Sequence, residues 1–87
     1  MRLVKITAVW CLSCILMNER IGNVLRNVND LELIELDFDD DEDRVEEYNI
    51  GKTLPVLIKL DGNNKEIGRI IGEKSEKEIE EFLEGSW

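Results

Sequence analysis

The stretch that decides the fold is AVWCLSCILMNERIGNVL, residues 8–25, in which a tryptophan precedes two cysteines separated by Leu12 and Ser13. After the cysteines, apolar residues recur at spacings near three and four, which predicts an amphipathic helix. These recurring positions are Leu16, Ile21, Val24, Leu25 and Val28. Cys11 and Cys14 then lie where the helix begins. The spacing alone allows a redox couple, half of a metal site or two buried thiols.

The length and composition predict one small domain. The chain has 87 residues, enough for one hydrophobic core but not for two, so a single domain over residues 1–87 is expected. It contains no run of about 18 apolar residues, so no membrane span is predicted. The first residues lack the apolar stretch and cleavage site of a signal peptide, which indicates a cytoplasmic protein. Because thiols are normally reduced there, a transient disulfide is expected rather than a structural one.

The charge argues against nucleic acid as a partner. The chain carries 20 acidic and 11 basic residues, a formal net charge of −9. Such a surface repels the phosphate backbone of nucleic acids.

The residues that could bind a metal are few. Histidine, the commonest zinc ligand and general base, is absent. Since there is no third cysteine, a zinc site would have to be shared between two chains of a dimer. We therefore expect neither a metal nor another cofactor. An acidic cluster lacks the central glycine and terminal glutamate of a calcium loop, so we interpret it as a solvated helix N-terminus. The cluster comprises Asp37, Asp39, Asp40, Asp41 and Asp43.

The rest of the chain predicts alternating strands and helices. The predicted strands are residues 3–9 (LVKITAV), 30–38 (DLELIELDF), 54–60 (LPVLIKL) and 65–71 (KEIGRII). A turn is predicted at residues 61–64, a short acidic helix at 41–48, and a last helix after a capping box formed by Ser75 and Glu78. The order β-α-β-α-β-β-α is interpreted as two parallel crossovers followed by an antiparallel hairpin. It predicts an α/β fold, a four-stranded mixed sheet flanked by helices.

The position of the two cysteines favours thiol chemistry. At the first turn of a helix, unpaired N–H groups and the helix dipole favour the thiolate form of Cys11. Cys14 lies on the same helical face, close enough for its sulfur to bridge back. This arrangement supplies an attacking thiolate and a resolving thiol, of which only the first needs to reach solvent. Trp10, beside the nucleophile, is expected to form part of a contact surface.

With these motifs the chain resembles the thioredoxin family. WCLSC matches the W-C-x-x-C motif, TLPVLIKLDG matches the cis-proline strand and hairpin, and IIGEKSEKEIEEFL matches the glycine and final helix. The resemblance covers residues 3–84. It implies the minimal thioredoxin fold and a disulfide oxidoreductase in which Cys11 attacks a protein disulfide and Cys14 resolves the mixed disulfide.

The resemblance also implies further site residues. Pro55, in a cis bond, would lie opposite the cysteines, the backbone of Leu54 would pair with an extended substrate, and Gly72 would leave a flat spot for its approach. Lys5 falls where thioredoxins usually carry a buried aspartate beneath the resolving cysteine. Glu35 falls where they usually carry its lysine partner, so the two are a candidate proton relay with exchanged charges. The alternative is that Lys5 extends to water and Glu35 is a surface residue.

The expected partners are disulfide-containing proteins and a thioredoxin reductase or small-thiol electron donor, with the chain as a monomer. The dipeptide between the cysteines is Leu-Ser rather than the Gly-Pro usual in thioredoxins. The reduction potential of the family therefore cannot be assigned to this chain. Two alternatives are a glutaredoxin-like thiol transferase that uses glutathione and a redox-inactive binding module with the same fold. The first needs cationic groups for the carboxylates of glutathione, and the motif offers none between Trp10 and Cys14.

Overall fold

A computed structural model describes residues 2–28 and 30–84 of the chain. Residues 1, 29 and 85–87, which the expected single domain includes, lie outside the described residues. The elements are β1 (Arg2–Thr7), α1 (Leu12–Leu25), β2 (Glu32–Asp37), α2 (Glu42–Glu46), β3 (Val56–Leu60), β4 (Glu66–Ile71) and α3 (Glu76–Glu84). Their order is the predicted one, and β2, β3 and β4 lie within their predicted segments.

The four strands form one mixed sheet in the order β2-β1-β3-β4, which confirms the predicted fold class. β1 is parallel to β2 and antiparallel to β3, and β3 is antiparallel to β4. The prediction of a second parallel crossover is therefore wrong. β3 begins at the end of the sheet where β2 stops, so the connection between them, which includes the five-residue α2, leaves and returns at the same end.

The direction of β3 brings several chain segments to one end of the sheet. β1 and β2 stop together, with Thr7 opposite Asp37. β3 begins at the same end, since Val56 pairs with Ile6 of β1 and with Ile71, the last residue of β4. The predicted site residues that follow β1, precede β3 and follow β4 therefore converge here.

The sheet separates the core into two clusters, because successive strand residues point to opposite faces. One cluster, formed with α1 and α3, includes Leu3, Met17, Ile21, Val24, Leu57, Ile79, Phe82 and Leu83. The other, formed with α2, includes Val4, Ile6, Leu36, Val45, Val56, Ile58 and Leu60. Every residue of β3 is buried, as expected for a central strand covered on both faces.

The buried face of α1 matches the predicted face at Ile21 and Val24, whereas Leu25 and Val28 are only half-buried and Val28 lies beyond the helix. The helix buries Cys14, Met17, Ile21 and Val24, which repeat at spacings of three and four. Leu16, which we expected on the core face, is 52% exposed. Met17 lies on the same helical face as Cys14 and Ile21, three and four residues away. Leu16, the residue before it, therefore points toward solvent.

Hydrogen bonds are made at both ends of the last helix. The N–H of Glu78 donates to the Ser75 hydroxyl at 3.1 Å, which is one of the two hydrogen bonds of the predicted capping box of α3. At its other end, the Nζ of buried Lys59 donates to the carbonyls of Phe82 (3.3 Å) and Leu83 (3.0 Å). Burial lowers the pKa of this lysine. Within the described part of the chain, no helix combines the length and apolar character required to cross a membrane.

Candidate redox site

Cys11 is the N-cap residue of α1, at the end of the sheet where the segments converge. Its backbone is extended (φ −94°, ψ 111°), and its Sγ accepts a hydrogen bond from the N–H of Cys14 at 3.2 Å. The first turn of a helix leaves backbone N–H groups without helical partners, and the sulfur takes one of them. The predicted position of Cys11 at the first turn is thus confirmed.

The two thiols differ in their access to solvent. Both are free thiols, but Cys14 is 1% exposed and Cys11 is 9% exposed. The neighbouring side chains of Val9, Trp10 and Leu12 are all exposed. An exposed apolar surface therefore surrounds Cys11, with the second thiol enclosed behind it.

The environment of Cys14 favours its neutral form. Burial, and next the hydrogen bond with Cys11, raise the pKa of the Cys14 thiol from 9.0 to about 11. The backbone of Ala8 and the positive charge of Lys5 act in the opposite direction. Because only the thiolate is a strong nucleophile, Cys14 must lose its proton before it can attack.

Lys5 and Glu35 form an ion pair, with 3.0 Å between Lys5 Nζ and Glu35 Oε1. The two residues are opposite each other in the parallel pair β1 and β2. The Lys5 side chain is 11% exposed and that of Glu35 is 63% exposed. The pairing is as expected, but the pair is not buried as a whole, because β2 is an edge strand and leaves Glu35 in water.

The Leu54-Pro55 bond is cis, and this segment lies opposite the cysteines as expected. The thiol of Cys11 donates to the carbonyl of Leu54 at 3.7 Å. Gly72 has a φ of +85°, and its N–H donates to the carbonyl of Pro55 at 2.9 Å. A Cβ on Gly72 would lie 3.5 Å from Thr53 Cγ2, an ordinary contact, so the positive φ is what favours glycine here. Contact of these three residues with substrate stays a prediction.

Trp10 is held by two residues that sequence analysis did not place at the site. Its indole N–H donates to Asp39 Oδ2 at 2.7 Å, and its ring meets the edge of Phe38 at 6.0 Å between centroids and 89° between planes. Asp39 and Phe38 follow β2 just as Trp10 follows β1. The signal that could have found them is the parallel pairing of β1 and β2, which places the residues after both strands at one edge.

Two other carboxylates of the acidic segment accept hydrogen bonds from backbone N–H groups of the same segment. The carboxylate of Asp37 accepts the N–H groups of Asp39 (2.9 Å) and Asp40 (3.0 Å), and that of Asp41 accepts the N–H of Asp37 (2.8 Å). These bonds hold the turn between β2 and α2, and with it the partner of Trp10. Among residues 2–28 and 30–84, no group of three or more metal-ligating side chains is arranged to hold an ion.

Comparison with known proteins supports a single family. Residues 1–85 match the family model Thioredoxin. The chain is 32% identical over 74 residues to thioredoxin H2 of Arabidopsis thaliana, a match that covers 85% of this chain and 54% of the relative. The chain thus spans about half the length of that curated relative.

Solved thioredoxin structures share the fold. Thioredoxin-2 of a malaria parasite superposes with a TM-score of 0.84 at 19% identity, covering 94% of this chain and 79% of that one. Thioredoxin 1 of Thermosipho africanus TCF52B gives 0.82 at 23% identity, covering 97% and 91%. With the family match over residues 1–85, the chain belongs to the thioredoxin family, a family of disulfide oxidoreductases.

Proposed function

We propose that this protein reduces protein disulfides through a Cys11/Cys14 dithiol couple. The observation that carries the proposal is the arrangement of the two sulfurs at the start of α1. Cys11 keeps 9% of its surface exposed and its Sγ accepts the N–H of Cys14 at 3.2 Å, while Cys14 is 1% exposed and lies one turn inside the helix. This is what a two-step thiol exchange requires, since one thiol must reach the substrate and the other must reach only the first.

The reaction proceeds in two displacements. The Cys11 thiolate attacks one sulfur of the substrate disulfide, a new S–S bond forms, and the other substrate sulfur leaves as a thiolate. Cys14 then loses its proton and attacks Cys11 Sγ, which forms the Cys11–Cys14 disulfide and releases the second substrate thiolate. Two electrons pass from the protein dithiol to the substrate, and the two protons of the dithiol balance the substrate thiolates.

Lys5 and Glu35 assist the second displacement. The positive charge of Lys5 lowers the pKa of Cys14 against the larger effect of burial, so it stabilises the thiolate that must form. Glu35 lies 3.0 Å from the Lys5 ammonium and is open to water, so its carboxylate can pass the released proton to solvent. The pair therefore acts as a proton relay with charges opposite to those usual in the family.

The substrate segment lies across Trp10, the backbone at Leu54 and Pro55, and Gly72. The side chains of Leu54 and Pro55 are buried, so this segment offers the substrate backbone rather than side-chain contacts. An extended chain can pair with the backbone of Leu54 by β-strand addition, whereas Pro55 has no N–H and its carbonyl accepts the N–H of Gly72. A glutathione-dependent reaction would instead need cations near Cys11 to bind the carboxylates of glutathione. The group bonded to the neighbouring Trp10 is the carboxylate of Asp39, which would repel them.

The oxidised dithiol must be reduced again before the next cycle. We propose a thioredoxin reductase or a small thiol as the electron donor. The protein is proposed to act as a monomer in the cytoplasm, where the prevailing reducing conditions keep the couple in its dithiol form.

A redox titration of the couple tests this function. The protein is equilibrated in thiol buffers of graded potential, alkylated and weighed by mass spectrometry. We expect one two-electron transition, absent from Cys11→Ser and Cys14→Ser, and thiol-driven reduction of a model protein disulfide. If the two cysteines form no disulfide at any buffer potential and the protein disulfide is not reduced, the proposed function is wrong. The protein would then be a binding module without turnover.

A further inference from the structure

A groove of about 580 Å³ opens between the end of β2 and α2, beside the candidate redox site. It is lined by Phe38, Asp39, Glu42, Val45, Glu46, Asn49 and Ile50. Its apolar lining comes from core-contacting side chains, and three of the other four residues are carboxylates. No lysine or arginine of the described residues lines it. The groove is thus apolar in part and negative at its polar positions.

Trp10 connects this groove to the nucleophile. The indole N–H is bonded to Asp39 at 2.7 Å and the ring contacts Phe38, and both of these residues line the groove. Trp10 also precedes Cys11 directly in the chain. Trp10 therefore lies between Cys11 and the groove, so a polypeptide whose sulfur reaches Cys11 can extend past Trp10 and place a nearby side chain in the groove.

The two glutamates of the groove are open to a cationic ligand. Glu42 and Glu46 are four residues apart in α2, so they project from one face of the helix, and both are exposed. No salt bridge formed within the described residues engages either of them. Like charges at this spacing repel each other, and a cation bound between them relieves that repulsion.

We propose that the groove is a specificity subsite for a lysine or arginine side chain next to the disulfide under attack. The inference rests on the proposed disulfide reduction and names the substrate class for it. The aliphatic stem of the side chain packs on Phe38, Val45 and Ile50, and its charged head meets the carboxylates. The same carboxylates repel an acidic substrate segment, so the groove favours basic substrates and disfavours acidic ones.

Disulfide peptides that differ in one residue test the subsite. Three peptides carry lysine, methionine or glutamate at the same position, about three residues from the cysteine. The second-order rate of mixed-disulfide formation is measured with the Cys14→Ser protein, which stops after the first displacement. At low ionic strength we expect the lysine peptide to react at least about threefold faster than the methionine peptide, and the glutamate peptide more slowly. In about 1 M salt the ratios fall toward one.

Two matched double variants separate the groove from the overall charge. Glu42→Gln with Glu46→Gln is expected to bring the lysine-to-glutamate rate ratio most of the way to one. Glu80→Gln with Glu81→Gln removes the same number of charges from α3, and the ratio is expected to stay at its original value. Equal losses in both double variants would show that only net charge matters and would overturn the subsite.

The remaining outcomes distinguish this inference from the proposed function. Equal rates for the three peptides would overturn the subsite and leave disulfide exchange in place. Failure of every peptide to form a mixed disulfide would overturn the proposed function, and the subsite with it.

Discussion

The backbone N–H of Cys14 donates to the Sγ of Cys11 at 3.2 Å, so the buried cysteine positions the accessible sulfur through its main chain. This donor does not depend on the Cys14 side chain. The orientation of the nucleophile is therefore expected to survive changes of the resolving thiol. A substitution of Cys11, in contrast, removes the sulfur that accepts this hydrogen bond.

The two cysteines are accordingly expected to respond differently to substitution. Cys14→Ser keeps the N–H donor and the attacking sulfur, so it should form a mixed disulfide that persists because nothing resolves it. Cys11→Ser should form none, since its remaining thiol is buried. Mass spectrometry under non-reducing conditions measures the adduct. Trapping by Cys11→Ser but not by Cys14→Ser would reverse the two roles.

The pair Lys5 and Glu35 is expected to control the rate of resolution. Lys5→Met removes a charge that lowers the pKa of Cys14, so the second displacement should slow about threefold to tenfold at neutral pH. Glu35→Gln should also slow it, by removing the proton acceptor. In a double-mutant cycle on this rate, the two changes should be non-additive by more than about 0.5 kcal/mol.

A second ion pair on the same strands supplies the control for this cycle. Arg2 and Glu32 are also opposite each other in β1 and β2 and form a salt bridge of 2.8 Å. Arg2→Met and Glu32→Gln are expected to leave the resolution rate unchanged. Additive effects of the Lys5 and Glu35 changes from about pH 6 to pH 9 would contradict the relay.

The raised pKa of Cys14 predicts a loss of stability of the reduced protein in alkali. In the unfolded chain this thiol ionises near 9.0, whereas in the folded protein it ionises near 11. Between these pH values the unfolded state releases a proton that the folded state keeps, so the free energy of unfolding falls as pH rises. The fall assigned to Cys14 is about 1 to 3 kcal/mol.

Urea denaturation at about pH 8 and about pH 10.5 measures this loss, with the thiols kept reduced. Burial also lowers the pKa of Lys59, so this lysine can contribute to the pH dependence as well. Cys14→Ser is therefore the control, and it should lose less stability over the same interval than the wild type. Equal losses in the two proteins would place the Cys14 pKa at its ordinary value.

The bond between Trp10 and Asp39 is expected to hold the indole in position. The chain contains two tryptophans, so Trp87→Phe leaves Trp10 as the sole indole fluorophore. In that background, Asp39→Ala should lower the fluorescence anisotropy and shift the emission, because the ring loses its 2.7 Å hydrogen bond. Asp40→Ala, one residue further along, should change neither. An unaltered spectrum in Asp39→Ala would show that Phe38 alone holds the ring.

The parts of the fold that the sequence predicted correctly depend on short-range features. The cap of α3 involves Ser75 and Glu78, which are three residues apart, and the place of Cys11 depends on the strand and helix that flank it. The strand segments followed from apolar runs that Gly, Pro and Asx residues interrupt. Leu16 shows the limit of such patterns, since the periodicity predicted it on the core face, whereas the packed helix buries its neighbour Met17 instead.

Long-range features of the site could not be predicted in this way. The bond from Trp10 to Asp39 joins residues 29 positions apart, and it exists because β1 and β2 end together at one edge of the sheet. The exposure of Glu35 follows from the edge position of β2. Neither the neighbours of a strand nor its distance from the edge is encoded in its own alternation of apolar and polar residues.

The sequence alone was sufficient for the order of the seven elements and for the position of Cys11 at the start of a helix, and it supplied the candidate site residues. Each of these depends on residue type and on spacing within a few positions. The tertiary structure was needed to show that β3 runs antiparallel to β1, that the indole of Trp10 is bonded to Asp39, and that an acidic groove opens beside Trp10. The physical reason is that these contacts join segments far apart in the chain, and the packing of the whole sheet and its helices selects which of them meet.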